Sequence, residues 1–126
     1  MRPDVELRLP VDPAFVSVLR ATAVSIAARL NFTIDDIEDL RMAVSEASAL
    51  LLPHATADGE LLAAFHTSPD RIEVRISVPT SGTVTPPAAE EDFAWQVLSA
   101  LTTHAELHSG EGWSSATFTV HSTATV

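Results

Sequence analysis

The chain has 126 residues, 46% of them hydrophobic, with a mean hydropathy of +0.20, enough apolar material for the core of one domain over residues 1–126. Seventeen acidic residues against seven arginines and no lysine give a net charge of −10, which argues against nucleic acid and acidic membranes as partners. The absence of cysteine removes disulfides, thiol catalysis and cysteine-ligated zinc.

No apolar run approaches the roughly 20 residues that cross a bilayer. The opening MRPDVELRLP is charged and alternating, unlike a signal peptide, so a cytoplasmic setting is expected. Val5, Leu7, Leu9 and Val11 alternate with Glu6, Arg8 and Pro10, a half-buried strand with Pro10 at its end or on a sheet edge. Asp12-Pro13 reads as an N-cap followed by proline in the first turn. The spacing predicts a helix from there to about Leu30, burying Phe15, Leu19, Ala23, Ile26 and Leu30. Asn31-Phe32 is a short turn, which favours an antiparallel pair with the next helix.

That partner, Thr33 to His54, is the longest well-patterned helix. Ile37, Leu40, Val44, Ala47 and Leu51 form its apolar stripe, and Thr33 with Asp36 reads as a capping box. Asp35, Asp36 and Glu38 suit the positive end of the helix dipole. Pro53 marks the helix end, because an interior proline loses a hydrogen bond and clashes with the preceding turn. Glu46, Leu50 and His54 follow at i, i+4 and i+8 as a second stripe.

Beyond the ATADG loop, Glu60–Thr67 and Ile72–Val78 read as the two strands of a hairpin around Ser68-Pro69-Asp70. Residues 79–89 read as loop, with Pro86-Pro87 excluding a helix. Glu90, Glu91 and Asp92 open a third helix with Phe93 or Ala94, Val97, Leu98 and Leu101 on its apolar face. Ala105–His108 is a short strand, 109–112 a turn, and Trp113–His121 a strand with Ala116, Phe118 and Val120 on one face. The last residues are expected to fray. The order β-α-α-β-β-α-β-β describes an α+β fold, a two-layer sandwich with helices on one face of a mixed or antiparallel sheet.

Few residues suggest chemistry. Glu46 could serve as a general base if it faces a pocket, although an exposed helix glutamate is the commoner case. His54 stands where a positive imidazole suits a helix C-terminus. The five histidines lack close-ligand spacing, and His104 and His108 fall on different predicted elements, so no metal site is expected. There is no Walker-type or Rossmann-type glycine loop and no nucleophile elbow. Gly110-Glu111-Gly112 lies between two strands and reads as a hairpin turn.

The run from Phe32 to Ala47, FTIDDIEDLRMAVSEA, resembles the central helix of bacterial anti-sigma factors of the serine-kinase type. These belong to the GHKL (histidine-kinase-like ATPase, or Bergerat-fold) superfamily. The leading strand, the helix after Asp12-Pro13 and the later order of elements match as well. The resemblance implies that Glu46 stands at the general-base position and that Leu50 replaces the asparagine that holds magnesium, a metal that takes oxygen ligands. Val78-Pro-Thr-Ser-Gly82 stands where the family has its adenine-binding D-x-G-x-G, retaining Gly82 without the aspartate. Asp92-Phe93-Ala94-Trp95 replaces the glycine-rich phosphate turn, and Trp113-Ser114-Ser115 keeps the family's last threonine-containing turn only loosely. The nucleotide pocket so implied, Leu50, His54, Gly82 and Ser114 with Glu46 as a relic base, is degenerate.

The resemblance therefore implies a regulator that binds a sigma factor and an anti-anti-sigma (STAS) partner and forms a homodimer through the sheet edge or first helix. No cofactor is expected, ATP with magnesium being the one the family uses. Two alternatives stay open: an active ATP-dependent serine kinase acting on an anti-anti-sigma factor, and a ligand-sensing or dimerisation module on the same fold. A core role is expected for at least one of Phe93 and Trp95; if not core, the region could be part of the partner surface.

Overall fold

The computed structural model describes residues 2–85 and 92–125. The predicted Pro86-Pro87 break and the acidic Glu90 and Glu91 lie outside these residues. The elements follow the predicted order: β1 (Val5–Pro10), α1 (Val16–Ala27), α2 (Ile34–Leu51), β2 (Glu60–Ser68), β3 (Arg71–Pro79), α3 (Phe93–Leu101), β4 (His104–Gly110) and β5 (Trp113–His121). The sheet is antiparallel throughout, in the order β1-β2-β3-β5-β4.

Strand alternation sorts the side chains. Ile72, Val74, Ile76 and Val78 pair across to Val120, Phe118, Ala116 and Ser114 and are buried under the helices. The register places Glu6, Arg8, Leu62, Ala64, Arg75, Ser77 and Thr117 on the opposite face, together with His66, His104, His108 and His121. The helices close the core with Leu19, Ala23 and Ala27 from α1, Leu40, Ala43, Val44, Ala47 and Leu51 from α2, and Leu98 from α3. Alanines at 23, 27, 43 and 47 keep these surfaces low, so the helices lie close to each other and to the sheet.

The local signals act as their chemistry dictates. Asp12 Oδ1 accepts from Ala14 N at 2.9 Å and caps a single 3-10 turn over Pro13–Phe15. In the capping box of α2, Asp36 N donates to Thr33 Oγ1 at 3.0 Å and Thr33 N to Asp36 Oδ2 at 2.9 Å. The α-helix stops at Leu51 and a 3-10 turn, Leu52–His54, carries Pro53. Arg20 Nη1 near the start of α1 reaches Ser45 Oγ near the end of α2 at 3.4 Å, which makes the pair antiparallel.

Four expectations need correction. Helix α1 ends at Ala27, not near Leu30. Arg29 N and Leu30 N turn to the carbonyls three residues back, and Asn31 N donates to Pro69 O at 2.7 Å, drawing the chain toward the β2–β3 turn. Phe15, in the 3-10 turn before the helix, is 38% exposed, and Ala27 takes a place in the buried face. His104 and His108 share strand β4, which starts one residue before the predicted break at Ala105. Gly110 belongs to that strand, so the turn narrows to Glu111-Gly112, with Gly112 at φ +81°.

The fourth concerns residues 122–124, which are held rather than frayed. Ser122 N donates to Asp70 O at 2.7 Å, and the Ser122 hydroxyl donates to Asn31 O. Thr123 N and Oγ1 donate to the Asp36 carboxylate at 3.0 and 2.7 Å.

Candidate functional site

The end of α2 and the β4–β5 hairpin enclose the site. Helical periodicity sends Leu51 into the core and leaves Leu50 beside it, half-buried. The 3-10 turn at Pro53 then brings His54 round to the same side. The alternation of β4 aims Leu107 and Ser109 inward, opposite Ala116 and Ser114 of β5. Leu50, Leu51 and His54 thus face Leu107, Ser109 and Ser114 across a cavity of about 20 Å³, with Val84 and Thr85 closing one side. That volume is on the scale of one water molecule. Among the described lining residues only His54 and His108 can carry charge; no carboxylate, arginine or lysine lines the cavity.

The polar lining is only partly engaged: Ser115 Oγ is buried with no hydrogen-bond partner among the described residues. Ser109 Oγ and Ser114 Oγ lie 2.9 Å apart and share a hydrogen bond across the strand pair. Among the described residues neither is bonded to a histidine. Thr80 Oγ1 donates to Gly82 O at 2.8 Å, and the same carbonyl accepts from Gly112 N at 3.1 Å. Gly82 sits at φ +78°, a conformation that L side chains rarely adopt. The loop after β3 is thereby stitched to the β4–β5 turn. At the start of α3, Asp92 Oδ1 accepts from Trp95 N at 3.0 Å. A carboxylate therefore occupies a helix N-terminus that could otherwise attract an anion.

No family model matches the chain. It is 40% identical over 76 residues to the serine-protein kinase RsbW of Bacillus velezensis, covering 58% of this chain and 48% of that protein. The RsbW of Listeria innocua is 40% identical over 80 residues (61% and 51%), and that of Bacillus subtilis 37% over 76 residues (58% and 48%). The chain is a homologue of the RsbW serine-protein kinases. It spans about half the length of the curated relatives it matches. In three dimensions it matches the crystal structure of the RsbU and RsbW domains of Rv1364c from Mycobacterium tuberculosis. The TM-score is 0.68 at 21% identity, over 94% of this chain and 33% of that one. The fold is thus shared over 94% of this chain.

Within this RsbW homologue, Leu50, His54 and Ser114 come together in the cavity and two of the predicted residues stand outside it. Glu46, one turn before Leu50, is half-buried and does not line the cavity. Gly82 acts one step away, through its carbonyl to Gly112 N. Sequence reasoning missed Leu107 and Ser109 as lining residues. Alternation along HAELHSG puts them on one strand face, but their meeting with α2 is a tertiary event. Trp95 packs against the core, the role expected for at least one of the two aromatics, and Phe93 is 77% exposed.

Proposed function

We propose that this RsbW homologue is an anti-sigma-factor-like regulator. It binds a sigma factor and an anti-anti-sigma (STAS) partner, works as a homodimer, and transfers no phosphate. The observation that carries the reading is Leu50. An apolar side chain stands in the cavity wall at the position where the resemblance requires an oxygen ligand for magnesium. Two features support it. The cavity beside Leu50, as the described residues bound it, is small, and Asp92 holds the N-terminus of α3 with negative charge. Phosphoryl transfer depends on metal electrostatics and on positioning of the phosphates, and Leu50 and Asp92 supply neither. Glu46 is then a relic of the base position, and no nucleotide or metal is required.

Calorimetric titration with ATP and magnesium tests this, on the wild type and on Leu50→Asn. The expected result is no heat for the wild type. Magnesium-dependent ATP binding by the wild type would overturn the reading.

The rival reading, an active serine kinase acting on an anti-anti-sigma protein, draws on the 40% identity to relatives named as serine-protein kinases. Transfer of labelled phosphate to a STAS-domain protein decides between the two. A net charge of −10 supports protein over nucleic-acid partners in either case.

A further inference from the structure

The face of the sheet turned away from the helices is not evenly polar. The register lines up two adjacent rows across it. One row is Glu6, Ala64, Arg75, Thr117 and Glu106; beside it run Arg8, Leu62, Ser77, Ser115 and His108. The next cross-strand pair along β3 and β5 is Pro79 with Trp113. Alanine, serine and threonine keep the surface low around Arg75. Two hollows of about 340 and 310 Å³ lie there, one lined by Arg75 and Ala64, the other by Pro79 and Trp113. Both are also lined by Arg8, Leu62 and Ser77, so they adjoin as one trough whose size suits a small molecule.

The trough has an apolar end and a cationic end. Leu62 is 41% and Trp113 40% exposed. A lone exposed leucine is ordinary, but this one lines both hollows, with Trp113 and Pro79 beyond it. At the other end stands Arg75, which is exposed and, among the described residues, makes neither an ion pair nor a hydrogen bond. Arg8 differs, being matched to Glu60 at 3.7 Å. From Arg75 to Pro79 the strand runs about 13 Å, four residues of extended chain. Glu6 and Glu106 stand two strands to either side of Arg75, roughly 10 Å away. They leave room for one negative charge at Arg75 and repel a second placed beside it.

We infer that this trough binds an amphiphilic monocarboxylate of medium chain length. Its carboxylate accepts from the Arg75 guanidinium, whose planar fork matches a carboxylate with two parallel bonds. Its aliphatic chain lies over Leu62 and ends against Trp113 and Pro79, taking their apolar surface out of water. The net charge of −10 repels anions in general, so the guanidinium and the apolar contact are both needed to hold one. The site is on the opposite side of the sheet from the cavity at Leu50, so it stands whether or not phosphate is transferred there. It gives the protein a surface that answers to a small molecule.

Octanoate is the probe, titrated calorimetrically into the whole chain and followed by Trp113 emission in a Trp95→Phe background. Saturable binding with a blue shift of Trp113 is expected. Octanol, which lacks the charge, and acetate, which lacks the chain, should each bind about tenfold more weakly or less. Arg75→Gln, a change at an exposed side chain, should lower the octanoate affinity about tenfold and leave that of octanol as it was. Arg71→Gln, on the same strand but outside the trough, should bind octanoate as the wild type does. No saturable octanoate binding, or binding that Arg75→Gln leaves unchanged, overturns the site. Trp113 emission that shifts with protein concentration alone also overturns it, because a second copy then covers the face. A shift produced by a STAS-domain protein and not by octanoate overturns it in favour of a protein segment.

Discussion

Asp36 and Thr123 are 87 residues apart in the chain, yet Thr123 gives the Asp36 carboxylate both its backbone N–H and its hydroxyl. The same carboxylate accepts from Thr33 N in the capping box of α2. One side chain, only 3% exposed, thus closes the start of the central helix and holds the chain beyond β5. Asp36→Ala should lower stability by about 2 kcal/mol, more than an ordinary cap, because two donors from Thr123 lose their acceptor as well. Urea unfolding measures it. Removing residues 122–126 should cost less by itself, and the two changes together should be less than additive.

The same carboxylate sets a pH dependence. Burial raises the Asp36 pKa, but hydrogen bonds from the Thr123 and Thr33 backbones and hydroxyls outweigh it and carry the net value below the ordinary one. With the folded-state pKa below the unfolded one, the stabilisation is complete above the unfolded value and is lost as pH falls through the folded one. Stability should therefore decline below about pH 4. Thr123→Ala should make that decline shallower in unfolding curves taken at successive pH values.

Gly110 and Trp113 form the last cross-strand pair of β4 and β5, with the indole lying over the glycine. A Cβ at position 110 would meet Trp113 Nε1 at 2.3 Å. Gly110→Ala should swing the ring toward solvent and cost about 1 kcal/mol. In a Trp95→Phe background, the emission of Trp113 should shift to the red, and a spectrum unchanged from the parent would contradict this packing.

Leu98 is the one fully buried residue of the nine in α3. Leu98→Ala should cost about 3 kcal/mol, since the cavity opens beneath a short helix with little else to hold it. Hydrogen exchange should show α3 losing protection before α2 does.

Much of this fold was legible because periodicity and caps are local. The alternation of Ile72 to Val78, the stripe Leu40-Val44-Ala47-Leu51 and the Thr33–Asp36 box each lie within one element, and each stands as the residue pattern predicts. The misreadings are all tertiary. Helix α1 stops early because Asn31 N finds Pro69 O, and the tail is ordered because Asp36 has acceptor capacity left after capping. Gly110 looked like a turn residue because glycine usually is one, whereas here it makes room for an indole ring. In the site, the i, i+4, i+8 stripe placed Leu50 and His54 on one wall. It could not place Leu107 and Ser109 opposite them, nor leave Glu46 outside, because those positions depend on how the β4–β5 hairpin meets the helix.

The central seam of the sheet carries a consequence for the order of events in folding. β2–β3 and β4–β5 are hairpins with tight turns, which form in microseconds from local contacts. β3 and β5 join them along nine pairs, from Arg71↔His121 to Pro79↔Trp113, and at its tightest end that seam closes the whole segment between Pro79 and Trp113. Closing that loop comes before its contacts repay the lost entropy, so the β3–β5 seam should set the folding rate. Destabilising substitutions within either hairpin turn, formed before the seam, should then slow refolding and leave unfolding nearly unchanged, and Val74→Ala and Phe118→Ala, facing each other across the seam, should slow refolding as well.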